Sequence, residues 1–375
     1  MEEIAAMSHE KSYTGAENAI SGLIQAMQQI TPGMPLRQNK LRHEASSVPK
    51  TSLERRQRSY HSRPELTEKL LELSSHEGET MLYLGYGSNL AAETFLGKRG
   101  IKPISQVNVV APSLALSFNL PGLPYTEPCF ANTRYRPSPH DPPEMERPPY
   151  HKNAWKKGLV GVVYEVTKKD YAHIIATEGG GSGYQDVLVD CYELNDDPNV
   201  EVPLEPSGTP FKAHTLYAHS AAPLRVDPDY AQPSARYLKL LTDGAGEHDL
   251  PKEYRNFLMN IRTYHTTTTK QQLGGFVFIV VWLPIFAFFF GGSKLFLRKD
   301  GTYPPWFAKF ATAVFTACWA SYDGMFCKLF GDGERTIGDD LDQRQGVPNG
   351  SGVGRTISEK TLLLAGQEAR LAYQV

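Results

Sequence analysis

Cysteine is scarce in this chain: Cys129, Cys191, Cys318 and Cys327 are all there is in 375 residues, with no CxxC pair among them. Such spacing argues against a disulfide scaffold or a structural zinc site and suits a reducing compartment. Charge of one sign is not in excess either. A net charge of −2 gives no electrostatic footprint for nucleic acid. The opening residues, MEEIAAMSHEK, begin with two acids and lack an apolar core before a cleavage site, so no secretory signal is expected. His173, His214 and His219 lack a helical i, i+4 pair facing a common carboxylate, and singly they read as structural or surface residues rather than ligands. No metal and no redox cofactor is signalled.

Two nucleotide signatures are also missing. In MLYLGYGSNLAAETFLG, Gly85 and Gly87 fill the first two positions of G-x-G-x-x-G, but the third falls on Leu90. A dinucleotide site needs that glycine for close helix–strand packing. No GK[ST] is present to make a P-loop. What the stretch does offer is a strand running into a tight turn, with Ser88 or Asn89 placed to cap a helix beginning at LAAETF and Glu93 complementing its positive end. Such a turn can present backbone N–H groups to an anion or oxyanion, or it can be a purely structural turn.

The remainder divides by composition. Residues 1–78 read as a polar, mostly disordered extension with one weak helical stripe at Ile20, Leu23, Ile24, Met27 and Ile30. Residues 79–265 carry the globular signals. MLYLGY, VNVVAPSLALSFNL (broken at Pro112), GLVGVVYEV, DVLVDCYEL and FKAHTLYAHS read as strands. TKKDYAHIIATEGG reads as a helix, with Thr167 at its N-cap and Asp170 at N3. Two further helices close the region. Strands outnumber helices without βαβ alternation, which favours an α+β domain. Prolines crowd an insert at 121–150, read as a long surface loop that is either a functional lid or disordered.

The 41% hydrophobic content suffices for a real core, but part of it is concentrated in a hydrophobic helical region, 271–330. No charge occurs from Gln271 to Ser293, and 273–293 is a candidate membrane segment, single-pass or monotopic. A second stretch holding Lys309 and Asp323 reads as an interfacial or packed amphipathic helix. Residues 331–375 read as a flexible tail.

YLGYGSNL resembles the substrate loop of the γ-glutamylcyclotransferase family. GLVGVVYEVTKKDYAHIIATEGGGSGYQDVLVDCYE is similar to that family's strand–helix–EG–strand segment, and TLYAHSAAPLRVDPDYAQPSARYLKLLTDGAGEHDLPKEYRNFL to its closing segment. The three motifs occur in family order, with a longer stretch than usual between the first two. The resemblance implies a mixed β-barrel with flanking helices. It implies Glu178 as the catalytic acid/base, and Tyr83, Leu84, Gly85, Tyr86, Gly87, Ser88 and Tyr237 as substrate-binding residues. The implied reaction is a lyase-type release of 5-oxoproline from a small γ-glutamyl substrate: a γ-glutamyl amino acid, glutathione or a glutathione conjugate of fungal secondary metabolism. Alternatives are a γ-glutamylamine cyclotransferase and a non-catalytic, membrane-attached binding module, the latter disfavoured by the presence of Glu178. The catalytic domain is expected in the cytoplasm.

Overall fold

The computed structural model describes residues 35–59, 80–136, 147–177, 185–218, 225, 227, 229–296 and 305–338. The described residues through Thr336 form one compact unit. In chain order the elements begin with α1 (Pro35–Ser46), α2 (Leu53–Arg58), β1 (Thr80–Gly85), β2 (Ser105–Ala111), β3 (Leu114–Leu123), β4 (Glu127–Tyr135) and β5 (Leu159–Thr167). They continue with α3 (Lys168–Thr177), β6 (Gln185–Glu193), β7 (Phe211–Tyr217), α4 (Ala235–Glu247) and α5 (Lys252–Asn260). The last are α6 (Thr269–Phe296), α7 (Pro305–Ser321) and the short α8 (Cys327–Phe330).

Five strands close a barrel in the order β1-β5-β2-β6-β7, sealed by a parallel contact of β1 with β7 at Tyr83 and His214. The expected α+β architecture, a mixed barrel with flanking helices and an apolar C-terminal helix, is the one observed. Valine-rich β5 lies between β1 and β2, where both faces are covered, and it is buried almost throughout. That explains its near-continuous apolar run, since a strand covered on both faces has no reason to alternate. Register places Leu84, Val163 and Val107 on one barrel face and Tyr83, Tyr164 and His214 on the other. The second face is packed by aromatic rings: Phe95 stacks on Tyr164 at 4.3 Å between centroids, and Tyr171 of α3 lies 6.0 Å from Tyr83. Thr167 heads α3 as the motif requires, its hydroxyl accepting the Asp170 N–H at 3.0 Å.

Three expectations are corrected. The proline-rich insert is not loop throughout. Its first part completes β3 and β4, a two-stranded antiparallel sheet with a register shift between Ser117 and Leu120. Pro121 and Pro128 are tolerated there because each strand of a two-stranded sheet has an open edge. The N-terminal extension is not all loose. Its arginines find opposite charges on the folded domain: Arg42 of α1 pairs with Asp243 and Glu247 of α4, and Arg55 of α2 pairs with Glu165 of β5 at 2.7 Å. The weak stripe at 20–30 lies outside the described residues. The tail does not begin at Gly331, because residues 331–336 are stitched to the barrel. Tyr125 donates its N–H to the Gly333 carbonyl at 2.7 Å, and Gln232 donates its N–H to the Glu334 carbonyl at 2.9 Å. Arg225, stacked on Trp319 at 4.2 Å, holds the buried Glu334 carboxylate.

Helices α6 and α7 form an antiparallel hairpin. Phe278 meets Phe326, the Trp282 indole donates to Ser321 Oγ at 3.1 Å, and Phe286 meets Phe315. Their inner faces build a second aromatic core, joined to the β3–β4 turn through Tyr125. The segment expected to be a packed or interfacial helix packs its inner face, Phe315 and Trp319, against α6 and the segment after it.

Candidate active site

Gly85 ends β1, and the chain turns through Tyr86 and Gly87 into a single 3-10 turn, Ser88–Leu90. No side chain caps that turn, and the chain passes from it into a π-type turn at Glu93–Lys98, so the expected capping of a regular helix by Ser88 or Asn89 does not form. The turn is held instead by groups reaching it from distant elements. The Tyr164 hydroxyl of β5 donates to the Asn89 carbonyl at 3.2 Å and lies 2.9 Å from His248 Nε2, which in turn lies 3.1 Å from the Leu90 carbonyl. The Glu247 carboxylate accepts the Ala92 N–H at 2.7 Å. Burial lowers the His248 pKa to about 4, against a smaller opposing effect of its Leu90 contact, so the imidazole is neutral at physiological pH and serves as a structural clamp.

Glycines set how close these elements come. A Cβ at Gly244 of α4 would lie 2.4 Å from the Leu90 carbonyl carbon and 2.6 Å from the Ala91 nitrogen. Only a residue without a side chain lets the helix lie directly on the turn. Gly161 plays the same part on β5, where a Cβ would come within 2.4 Å of the Gly85 carbonyl oxygen.

Pressing α4 onto the turn brings Tyr237 to it. Ser234 caps α4, accepting the Tyr237 N–H at 3.0 Å, and its hydroxyl is bound by the Glu127 carboxylate of β4. The Tyr237 hydroxyl accepts the Ala131 N–H of β4 at 3.1 Å and lies 3.5 Å from the point where a Gly87 Cβ would be. Gly87, Tyr237 and Ala131 therefore meet at one place. Asn132, next along β4, ties that strand to the end of β7: its amide donates to the Ala218 carbonyl at 3.0 Å and accepts the Ala218 N–H at 3.2 Å.

The other expected binding residues divide by role. Leu84 is fully buried and accepts the Thr215 hydroxyl at its carbonyl (2.9 Å). Tyr83 is buried beside Phe95 and Tyr171, and its hydroxyl accepts the Asn89 side-chain amide at 2.8 Å. Tyr86 donates its hydroxyl to the Leu216 carbonyl at 2.9 Å, and Ser88 is buried in the turn. These contacts fix the turn against the rim where β1 and β7 end. Glu178 lies outside the described residues. Its described neighbours are Thr177, which ends α3, and Gln185, which begins β6 and pairs with Tyr217 at that same rim. Ala131, Asn132, Gly244 and His248 were not expected at the site, because they carry no motif of their own. Only Gly244 left a signal, as a glycine inside a helical pattern. Among the described residues no group of three or more His, Cys, Asp or Glu could hold a metal ion.

The γ-glutamyl cyclotransferase verK of Clonostachys rogersoniana is 31% identical over 165 residues, covering 44% of this chain and 85% of verK. The chain belongs to the γ-glutamyl cyclotransferase family. The γ-glutamyl cyclotransferase gliK of Aspergillus fumigatus is 27% identical over 262 residues, covering 67% of this chain and 88% of gliK. A solved γ-glutamyl cyclotransferase structure is 21% identical, overlaps 51% of this chain and 93% of its own, and has a TM-score of 0.34. Residues 268–329, the hairpin region, match the AclK C-terminal domain. The protein is thus a cyclotransferase enzyme carrying the AclK-type appendage.

Proposed function

We propose that this γ-glutamyl cyclotransferase releases 5-oxoproline and a free amino acid or amine from a γ-glutamyl substrate by intramolecular aminolysis, with Glu178 as general acid and base. The substrate's α-amine attacks its own γ-carbonyl carbon. A new C–N bond closes the five-membered lactam, the old amide C–N bond breaks, and the ammonium proton passes through the carboxylate to the leaving nitrogen. Because the nucleophile is tethered, the protein's work is to fold the glutamyl chain, accept that proton and stabilise the oxyanion. The amides of Gly85, Tyr86, Gly87 and Ser88 supply donors, and Tyr237 supplies a hydroxyl facing them. The observation that carries this reading is the Tyr237 hydroxyl set against Gly87 by the Gly244 contact, at the rim where β6 begins after the segment bearing Glu178. The substrate class is a γ-glutamyl amino acid, glutathione or a glutathione conjugate, and a γ-glutamylamine is the alternative.

Product analysis tests both parts. The protein is incubated with glutathione, γ-glutamyl dipeptides, glutathione conjugates and γ-glutamylamines, and 5-oxoproline release is measured over time. One class should be turned over, and Glu178→Gln should abolish that turnover while leaving the fold intact. Absence of 5-oxoproline from every class, or full activity in Glu178→Gln, refutes the mechanism.

A further inference from the structure

The hairpin of α6 and α7 presents far more apolar surface than its contact with the barrel uses. Phe276, Val280 and Phe288 of α6 are 67%, 55% and 82% exposed, and Trp306 and Phe310 of α7 also lie open. The inward side is already satisfied: aromatic rings fill it, and the Trp282 indole is bonded to Ser321. Apolar inside and out, and uncharged from Gln271 to Ser293, α6 has the composition of a helix whose outer solvent is hydrocarbon.

Charge at the margins points the same way. Lys270 and Lys328 are exposed beside this surface, and Asp323 is ion-paired with Arg225 at 2.7 Å. An uncharged centre with a basic margin and an exposed tryptophan is complementary to anionic headgroups over acyl chains. The antiparallel register brings the start of α6 and the end of α7 back to the barrel, so one helix cannot cross while the other stays behind. The charge-free run of α7, from Phe310 to Ser321, is about 18 Å long, short of the ~30 Å hydrocarbon core.

We propose that the outer face of the α6–α7 hairpin docks into one leaflet of an anionic bilayer and holds the barrel in the water beside it. The contact is monotopic; the single-pass span does not fit the register. The proposal is independent of the reaction assigned to the barrel.

The test uses the full chain sedimented with vesicles of phosphatidylcholine alone or phosphatidylcholine with phosphatidylserine, at low and high salt. The protein should move to the anionic vesicles and be partly released by salt. The triple variant Phe276→Asp, Val280→Asp, Phe288→Asp should lower partitioning by more than about tenfold while keeping the wild-type circular dichroism and melting curve, since all three side chains are exposed. Wild-type protein that stays in the supernatant with every composition overturns the proposal. So does a folded triple variant that binds as well as wild type. Concentration-dependent dimerisation in sedimentation velocity, without vesicle binding and abolished by the same variant, assigns the face to a second copy of the chain and equally overturns it.

Discussion

Gly244→Ala puts one methyl group where α4 lies on the 3-10 turn. Propensity alone would make this change stabilising by about 0.5–1 kcal/mol, because glycine inside a helix costs backbone entropy. Geometry argues the other way. The methyl carbon would start 2.4 Å from the Leu90 carbonyl carbon, 2.6 Å from the Ala91 nitrogen and 2.6 Å from Leu90 Cβ. Carbon atoms pack at roughly 3.5–4.0 Å, and two of the three obstacles are backbone, so no rotamer change relieves the clash. The helix has to retreat by about 1 Å, and overpacking of this kind costs about 1–3 kcal/mol. After the propensity gain is subtracted, the expected net loss centres on about 1 kcal/mol, within a range of about 0–2.5 kcal/mol, lowering the melting temperature by a few degrees. Tyr237 lies two turns earlier on the same face of α4, so the retreat also draws its hydroxyl from Gly87. Misplacement on that scale should cut kcat/KM for 5-oxoproline release by about ten- to a hundredfold. Thermal melts and initial-rate kinetics read the two effects separately. If Gly244→Ala melts at or above wild type with unchanged kinetics, α4 is not pressed on the turn, and the placement of Tyr237 falls with it.

Other consequences can be measured in the same preparations. Tyr237→Phe strands the buried Ala131 N–H and should cost about 1–3 kcal/mol in denaturant melts together with a fall in kcat; unchanged values in both would remove Tyr237 from the site. The His248 imidazole, held neutral by burial with a pKa lowered from 6.5 to about 4, gives stability that is complete above pH 6.5 and is lost as pH falls towards 4, because the unfolded chain binds the proton first. The slope from this group should approach about 1.4 kcal/mol per pH unit, and His248→Gln should flatten it between pH 5 and 6.5; equal slopes would contradict the buried placement. Glu334→Ala leaves the Arg225 guanidinium buried without its main partner and should destabilise by about 3–5 kcal/mol in the same melts, whereas a neutral result would show that the 331–336 segment does not brace the barrel.

Most of the strands were legible because their apolar runs end at turn residues: MLYLGY and GLVGVVYEV state their burial directly. The helix at Lys168–Thr177 was legible from Thr167 and Asp170. The turn's neighbour was legible only through the family resemblance, since nothing in PSARY by itself points Tyr237 at Gly87. What stayed hidden depends on partners far apart in the chain. The end of β3 and all of β4 were masked by prolines that an edge can accept. The ordering of α1 and α2 rests on ion pairs to Asp243, Glu247 and Glu165, which no local pattern announces. Residues 331–336 look like a polar tail until Tyr125, Arg225 and Gln232 are seen to bind them.

That last segment changes what counts as a unit of inheritance. The AclK-type region stops at residue 329 as a pattern, but the chain's physical dependence runs past it, to the carbonyls of Gly333 and Glu334 that receive the barrel's own amides. A gene rearrangement that swapped the hairpin at its pattern boundaries would leave the strap in place but take away Tyr322, whose hydroxyl accepts the Gly333 N–H, and Trp319, on which Arg225 stacks, so hairpin, strap and barrel have to be exchanged together or not at all.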